Sequence, residues 1–173
     1  MTRIALLIST LALMGCALQA VGKGRPHQSV NCPALVGYSN FRSLPRNTVI
    51  ASAVLNVASG SVPEHCQVQG TIDGDRVGYG PTPGDARTAV LNQSYAIRWM
   101  MRLPTSWNGR FYFAGGGGTN GNLGDAFGGS ALANGYAVIS QDSGHNNAVN
   151  VTPEAGTATF GYDPRARIDF GYR

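Results

Sequence analysis

Four consecutive glycines, Gly115 to Gly118, follow directly on the apolar run Phe111-Tyr112-Phe113-Ala114. Glycine serves where φ must be positive or where another group must approach the main chain, and four in a row give up more order than a turn alone requires. The run brings bare backbone N–H groups to the mouth of a sheet, the construction of an oxyanion hole or a phosphate cradle, so this loop is expected to touch a ligand. Gly116-Gly117-Gly118-Thr119-Asn120-Gly121 also satisfies G-x-G-x-x-G, and Asp142 closes the next strand at about the distance of a ribose-binding carboxylate. Against a dinucleotide, Gly121, Gly124, Gly128 and Gly129 delay the helix that should begin inside the motif, and strands precede it. No Gly-Lys-Ser/Thr follows the glycines, which excludes a P-loop.

An oxyanion hole needs a nucleophile, and no G-x-S-x-G is present. Ser130 lies in a helix-like stretch, and Ser143 follows a strand without a glycine two positions before it. Asp142, Ser143 and His145 read as a triad in miniature, but neighbours on one loop rarely reach the geometry of nucleophile, base and orienter; a turn held by Asp142 and His145 hydrogen bonds is the plainer expectation. The three histidines (His27, His65, His145) and nine carboxylates show no H-x-x-x-H or C-x-x-C spacing, so neither a metal site nor a cofactor is expected. Asn92-Gln93-Ser94 and Asn150-Val151-Thr152 fit the glycosylation acceptor pattern, which carries little weight in an exported chain of bacterial type.

The elements that must position the glycine loop follow from periodicity. Thr48 to Val57 reads as a first strand, and Cys66, Val68 and Ile72 alternate with polar neighbours up to an Asp73-Gly74 turn. Gly78 to Arg87 is loop. Tyr95 to Leu103 is the clearest strand: Tyr95, Ile97, Trp99, Met101 and Leu103 share one face, with Arg98 and Arg102 expected in solvent on the other. Pro104 to Gly109 turns the chain, and Arg110 to Ala114 is the strand that delivers the glycines. Asp125 to Asn134 is expected as a weak helix ending at Gly135, followed by a buried strand from Tyr136 to Ser140. Gln141 to Gly161 is a long loop, and Asp163-Pro164 supplies an N-cap and a Pro at N1 for a helix in which Ile168 and Tyr172 share a face.

With 173 residues the chain suits one domain, able to bury roughly two-thirds of its unfolded surface. Charged residues are 13% of the chain and the net charge is +4, scattered rather than clustered, so no nucleic-acid partner is expected. Residues 1–20 read as an export signal, with Arg3 as the n-region and Ile4 to Met14 as an apolar stretch too short to span a bilayer. Leu13-Met14-Gly15-Cys16 resembles a lipoprotein cleavage box that would lipidate Cys16; cleavage after Ala20 is the alternative. The destination is the periplasm, the outer membrane or the medium, with membrane contact only through Cys16. Residues 21–47 form a polar spacer and extension, and 48–173 the folded unit. Of the three cysteines, Cys32 and Cys66 remain once Cys16 is lipidated or removed, either as a disulfide in an oxidising compartment or as two buried thiols.

Four stretches together resemble one family: Pro63-Glu64-His65-Cys66, Ile97 to Gly121 (IRWMMRLPTSWNGRFYFAGGGGTNG), Ala131 to Asn147 (ALANGYAVISQDSGHNN) and Gly161 to Tyr172 (GYDPRARIDFGY). The combination of W-N-G-R-F, four glycines and D-x-G-H is similar to the tannase and feruloyl esterase group of α/β-hydrolases, which includes the monoester hydrolase of polyester-degrading bacteria. The resemblance implies an α/β fold and an exported serine esterase for aromatic or phenolic esters, with a lid domain inserted in its core. It implies that the loop after W-N-G-R-F supplies one oxyanion N–H, by position Gly118 with Gly117 as the next candidate, and that Cys32 and Cys66 are the family's N-terminal disulfide pair.

The family's Gly-Cys-Ser-x-Gly-Gly nucleophile turn, its Asp and its His have no counterparts before Arg173. The lid, with the calcium site that some members carry there, has none either. The resemblance therefore implies an incomplete α/β-hydrolase fold, the amino-terminal part of an esterase truncated before its nucleophile and inactive alone. A complete, non-catalytic lipoprotein that binds a small carboxylate or phenolic ligand at the glycine loop is the competing expectation.

Overall fold

The computed structural model describes residues 31–37, 44–45, 47–78 and 93–172. The export signal, Cys16, most of the 21–47 extension and most of the Gly78 to Arg87 loop lie outside the described residues. Among the described residues five strands form one mixed sheet in the order β1-β2-β3-β5-β4. These are β1 (Thr48–Asn56), β2 (His65–Val77), β3 (Ser94–Pro104), β4 (Phe111–Ala114) and β5 (Ala137–Gln141), and one helix, α1 (Pro164–Tyr172), follows them. β1, β2 and β3 are antiparallel neighbours, β5 runs antiparallel to β3, and β4 pairs parallel to β5 with Phe111 opposite Ala137 and Ala114 opposite Ser140. A parallel pair joined by a crossover puts the chain in the expected α/β class, consistent with the early strands of an α/β-hydrolase core.

β3 is the central strand, and its two faces carry separate parts of the core. Trp99 packs with Cys32, Cys66 and Val68, and Met101, Leu103 and Ile139 extend that face. On the opposite face Met100 and Val138 are covered by Ala126, Ala131 and Leu132 from the crossover between β4 and β5. The face expected to be polar is thus half apolar, because a strand inside a two-sided layer must satisfy both sides. β2 continues past the expected Asp73-Gly74 turn. Its register steps from Ile72 opposite Ile97 to Arg76 opposite Tyr95, so residues 73–75 bulge against Ala96 alone, with Asp73 at φ 50°.

The helix expected from Asp125 to Asn134 is absent. Ala126, Gly128 and Gly129 sit at φ 53°, 60° and 61°, left-handed backbone that cannot continue a right-handed helix, and the segment folds as successive turns closed by bonds such as Asn134 N–H to Ser130 O (3.0 Å). α1 forms as expected. The Asp163 carboxylate, fully buried, accepts from the Ala166 N–H at 2.7 Å, which makes it a side-chain N-cap ahead of Pro164. Ile168 and Tyr172 face solvent, while Ala166 and Asp169 turn inward. Arg165 fastens the helix to the β2 bulge through Asp73 at 2.7 Å.

Cys32, in a short 3-10 turn (Cys32–Leu35), is bonded to Cys66 at the start of β2. The pairing expected from the cysteine count and the resemblance is therefore present, and it closes a loop of 34 residues. Constraining an unfolded loop of that length stabilises the native state by about 3 to 4 kcal/mol. Replacing both cysteines by serine should lower the urea-unfolding free energy by about that amount; a change under about 1 kcal/mol would show that the sheet anchors this segment without the bond.

Candidate functional site

The glycine loop leaves β4 at Ala114 and turns at once. The Asn120 N–H donates to the Gly117 carbonyl at 2.9 Å, and Gly118 and Asn120 occupy the left-handed region at φ 59° and 53°. Among the described residues no acceptor receives the N–H of Gly116, Gly117 or Gly118. Gly115, Gly116 and Gly117, with Tyr112, Asp125 and Ser140, line a cleft of about 470 Å³ on the crossover side of the sheet. The loop thus combines a cavity with unspent backbone donors, the two things an anionic oxygen needs.

The order that four glycines cannot supply comes from the segment after β5. The Asn120 side-chain amide donates to the Gln141 carbonyl and to Ser143 Oγ, both at 2.9 Å. Asn147 Nδ2 donates to the Asn120 carbonyl at 2.5 Å, and the Asn147 N–H to the Gly121 carbonyl at 2.9 Å. Two contacts leave no room for a side chain on the loop. A Cβ on Gly116 would collide with the Asn120 amide, and one on Gly121, at φ 74°, would meet the Asn147 amide and His145 Nε2.

Asp142 fixes the turn that presents these groups. Its carboxylate, 1% exposed, accepts from Arg98 Nε at 2.6 Å and from the N–H groups of Arg98 and Gly144, each at 3.0 Å. Arg98 is therefore held by a partner rather than solvated. Burial pushes the Asp142 carboxyl above its ordinary value, and the bonds from Arg98 and Gly144 pull back against it. Ser143, at φ 60°, accepts at Oγ from the Asn120 and Gln141 side-chain amides, and neither ring nitrogen of His145 bonds to it. The miniature triad of Asp142, Ser143 and His145 is thereby ruled out as a hydrogen-bonded relay; what exists is the turn expected as the plainer reading, with Asp142 rather than His145 as its anchor.

Arg102 also departs from the solvated expectation. It donates to the Asp125 carbonyl at 2.7 Å and lies 4.1 Å over the Phe127 ring, supporting the turn that walls the cleft. His65 Nδ1 lies 2.8 Å from the Pro63 carbonyl and its Nε2 2.7 Å from Arg102 Nη1, so a neutral ring protonated on Nδ1 satisfies both neighbours. Asn150, 1% exposed and bonded to Gln93 and Ser94, is inaccessible as a glycan acceptor; Asn92 lies outside the described residues. No three His, Cys, Asp or Glu among the described residues are grouped to hold a metal. Sequence reasoning missed Asn120, Gln141 and Asn147. Their only signal is that amides flank the glycines and the D-S-G-H turn, a pattern that becomes meaningful once the two segments are known to touch.

Residues 85–173 match the model of a family described as tannase and feruloyl esterase. Over 129 residues the chain is 41% identical to the mono(2-hydroxyethyl) terephthalate hydrolase of Piscinibacter sakaiensis, covering 70% of this chain and 19% of that protein. It is 34% identical over 85 residues to an uncharacterised esterase of Agrobacterium fabrum, covering 44% of this chain and 14% of that one. The chain therefore spans a fifth or less of the length of these relatives. The crystal structure of feruloyl esterase B from Aspergillus oryzae superposes with a TM-score of 0.47 at 18% identity, covering 82% of this chain and 26% of that one.

His145 is the titratable group enclosed most completely behind the loop. It has no exposed surface, stacks on Phe160 with ring centroids 3.8 Å apart, and neither ring nitrogen has a hydrogen-bond partner among the described residues. Burial pushes its pKa below 6.5; the nearby Ser143 and Thr119 carbonyls and the Asp142 carboxylate favour the charged ring but do not offset the lost solvation. A histidine whose folded pKa lies below its unfolded value binds its proton more readily when unfolded, so its contribution to stability is lost as pH falls below about 6.5. Asp142, raised on folding, has the opposite sense, losing stability as pH climbs from about 3.8. Subtracting the unfolding free energy of His145→Gln from that of the parent isolates the histidine. That difference should shrink on acidification below pH 6.5 by up to about 1.4 kcal/mol per pH unit; a flat difference would place a proton on the buried ring.

Proposed function

Because the chain belongs to the tannase and feruloyl esterase family, we propose that it forms the amino-terminal part of an exported serine ester hydrolase acting on aromatic or phenolic carboxylic esters. The observation that carries this reading is the glycine loop: the Gly116, Gly117 and Gly118 N–H groups have no acceptor among the described residues, Gly115 to Gly117 line a cleft, and Asn120 fastens the loop from behind. Gly118, with Gly117 beside it, donates to the oxyanion that forms when a serine attacks the ester carbonyl. A histidine takes the serine proton and returns it to the leaving alcohol, and an aspartate orients that histidine. One such N–H is worth about 3 kcal/mol in the transition state. The serine, histidine and aspartate are contributed by residues beyond Arg173, together with the N–H following the serine that completes the oxyanion hole. The Cys32–Cys66 disulfide supports an oxidising destination, reached through the leader with Cys16 as a lipid anchor. The name of the Piscinibacter relative supports an aromatic acid on the acyl side.

A second reading, a non-catalytic exported protein binding a carboxylate or phenol at the glycine loop, draws on one observation: Ser143 Oγ accepts from the Asn120 and Gln141 amides and no nitrogen of His145 bonds to it, so these residues form no serine–histidine pair beside the loop. Hydrolysis of 4-nitrophenyl benzoate separates the two. The 173-residue chain should leave the ester at the buffer rate, and the product of a reading frame continuing past Arg173 should hydrolyse it and be inactivated by a fluorophosphonate. Turnover by the short chain would overturn the placement of the triad. A stop codon at that point, with cooperative unfolding of the short chain and stabilisation by benzoate, would establish the binding protein instead.

A further inference from the structure

We infer that Asn120 is the positioning residue of the glycine loop, setting the direction of the Gly118 N–H; the inference rests on the proposed role of that N–H. The peptide unit between Gly117 and Gly118 is planar and trans, so its C=O and N–H point in opposite directions. The Asn120 N–H holds the Gly117 carbonyl at 2.9 Å, and this one bond therefore aims the Gly118 N–H away from the turn. Such a bond fixes a direction only if Asn120 is itself immobile. Both hydrogens of its amide are spent on the end of β5, one on the Gln141 carbonyl and one on Ser143 Oγ, and its own carbonyl receives Asn147 Nδ2.

Asn120 occupies φ 53°, a conformation in which glycine is the least strained residue, within a stretch where five of the seven residues from Gly115 to Gly121 are glycine. A side chain at that position costs backbone freedom, and the bonds to Gln141 and Ser143 are what offset the cost. Without them the peptide plane between Gly117 and Gly118 is free to rotate, because glycines on both sides impose no barrier. Misdirecting an oxyanion donor weakens binding of the charged transition state and leaves the uncharged ester bound as before, so the loss falls on kcat rather than KM.

The test uses the complete esterase containing these residues, with Asn120→Gly, which keeps the backbone conformation and removes the amide, and Asn120→Asp, which keeps the shape and removes the donors. Both variants should lose about 10- to 100-fold in kcat on 4-nitrophenyl benzoate with KM within about twofold. Ser143→Ala should lose less, and combined with Asn120→Gly it should add nothing further. Hydrogen–deuterium exchange at the residue-120 amide, the one that donates to the Gly117 carbonyl, should quicken at least about tenfold in Asn120→Gly while exchange in β3 and β5 stays unchanged. Wild-type kcat in Asn120→Gly, a lower Tm with unchanged specific activity, or fully additive losses with Ser143→Ala would overturn the inference. Should the parent enzyme itself be inactive on esters, the proposed function fails separately, and unchanged exchange at the residue-120 amide would then overturn the positioning role alone.

Discussion

A carboxylate removed from water governs the end of this sheet. Asp142 must be supplied with donors where it lies, and they come from the guanidinium and N–H of Arg98 on β3 and from the N–H of Gly144 in its own turn. Satisfying the carboxylate ties β5 to β3 beyond their last ladder pair and sets the direction in which the chain leaves the sheet. Ser143 consequently meets Asn120, Asn147 meets the Gly121 carbonyl, and His145 is driven against Phe160. The geometry of the glycine loop is thus inherited from an ion pair that never faces the cleft.

The arrangement resolves a conflict built into such loops. Backbone donors that must approach a ligand closely need glycines, and glycines lose the most conformational entropy on being ordered. The chain does not restrain the loop from within. It ties the Asn120 amide to the Gln141 carbonyl at the end of β5, whose register with β4 is set by four ladder positions, and brings the Asn147 amide to the Asn120 carbonyl. Arg102 does the equivalent for the far wall, joining His65 on β2 to the Asp125 carbonyl and the Phe127 ring. Both the glycine loop and the turn at Asp125 are therefore referred back to the sheet, the first through the end of β5 and the second through Arg102 on β3.

The crossover shows how the same core can be reached without the expected element. Ala126, Ala131 and Leu132 bury the side of the sheet that carries Met100 and Val138, as a helix there would have done. The glycines at 128 and 129 hold the backbone in left-handed turns, so apolar burial is achieved by turns instead. Helical spacing of small apolar residues reports that a face is buried; it does not report the hydrogen-bonding pattern that brings the face there.

The strands were legible in the amino-acid order because alternation and turn residues are local: β1, β3, β4 and β5 lie within a residue or two of their expected bounds, and the Asp163-Pro164 start of α1 is equally local. The glycine loop and the cysteine pair were legible for the same reason, since composition alone marks an unusual backbone or a bond awaiting a partner. The fates of Arg98 and Arg102 were not, because a charged side chain on a strand is solvated or paired according to what the next strand brings beside it, and Asp142 is 44 residues from Arg98. Asn120 and Asn147 were hidden likewise: an amide beside a glycine run is unremarkable until folding places the end of β5 against it. The order of residues determined which backbone would be bare. Only the tertiary structure decided what would hold it still, because hydrogen bonds between segments exist only where the sheet has already brought them within 3 Å.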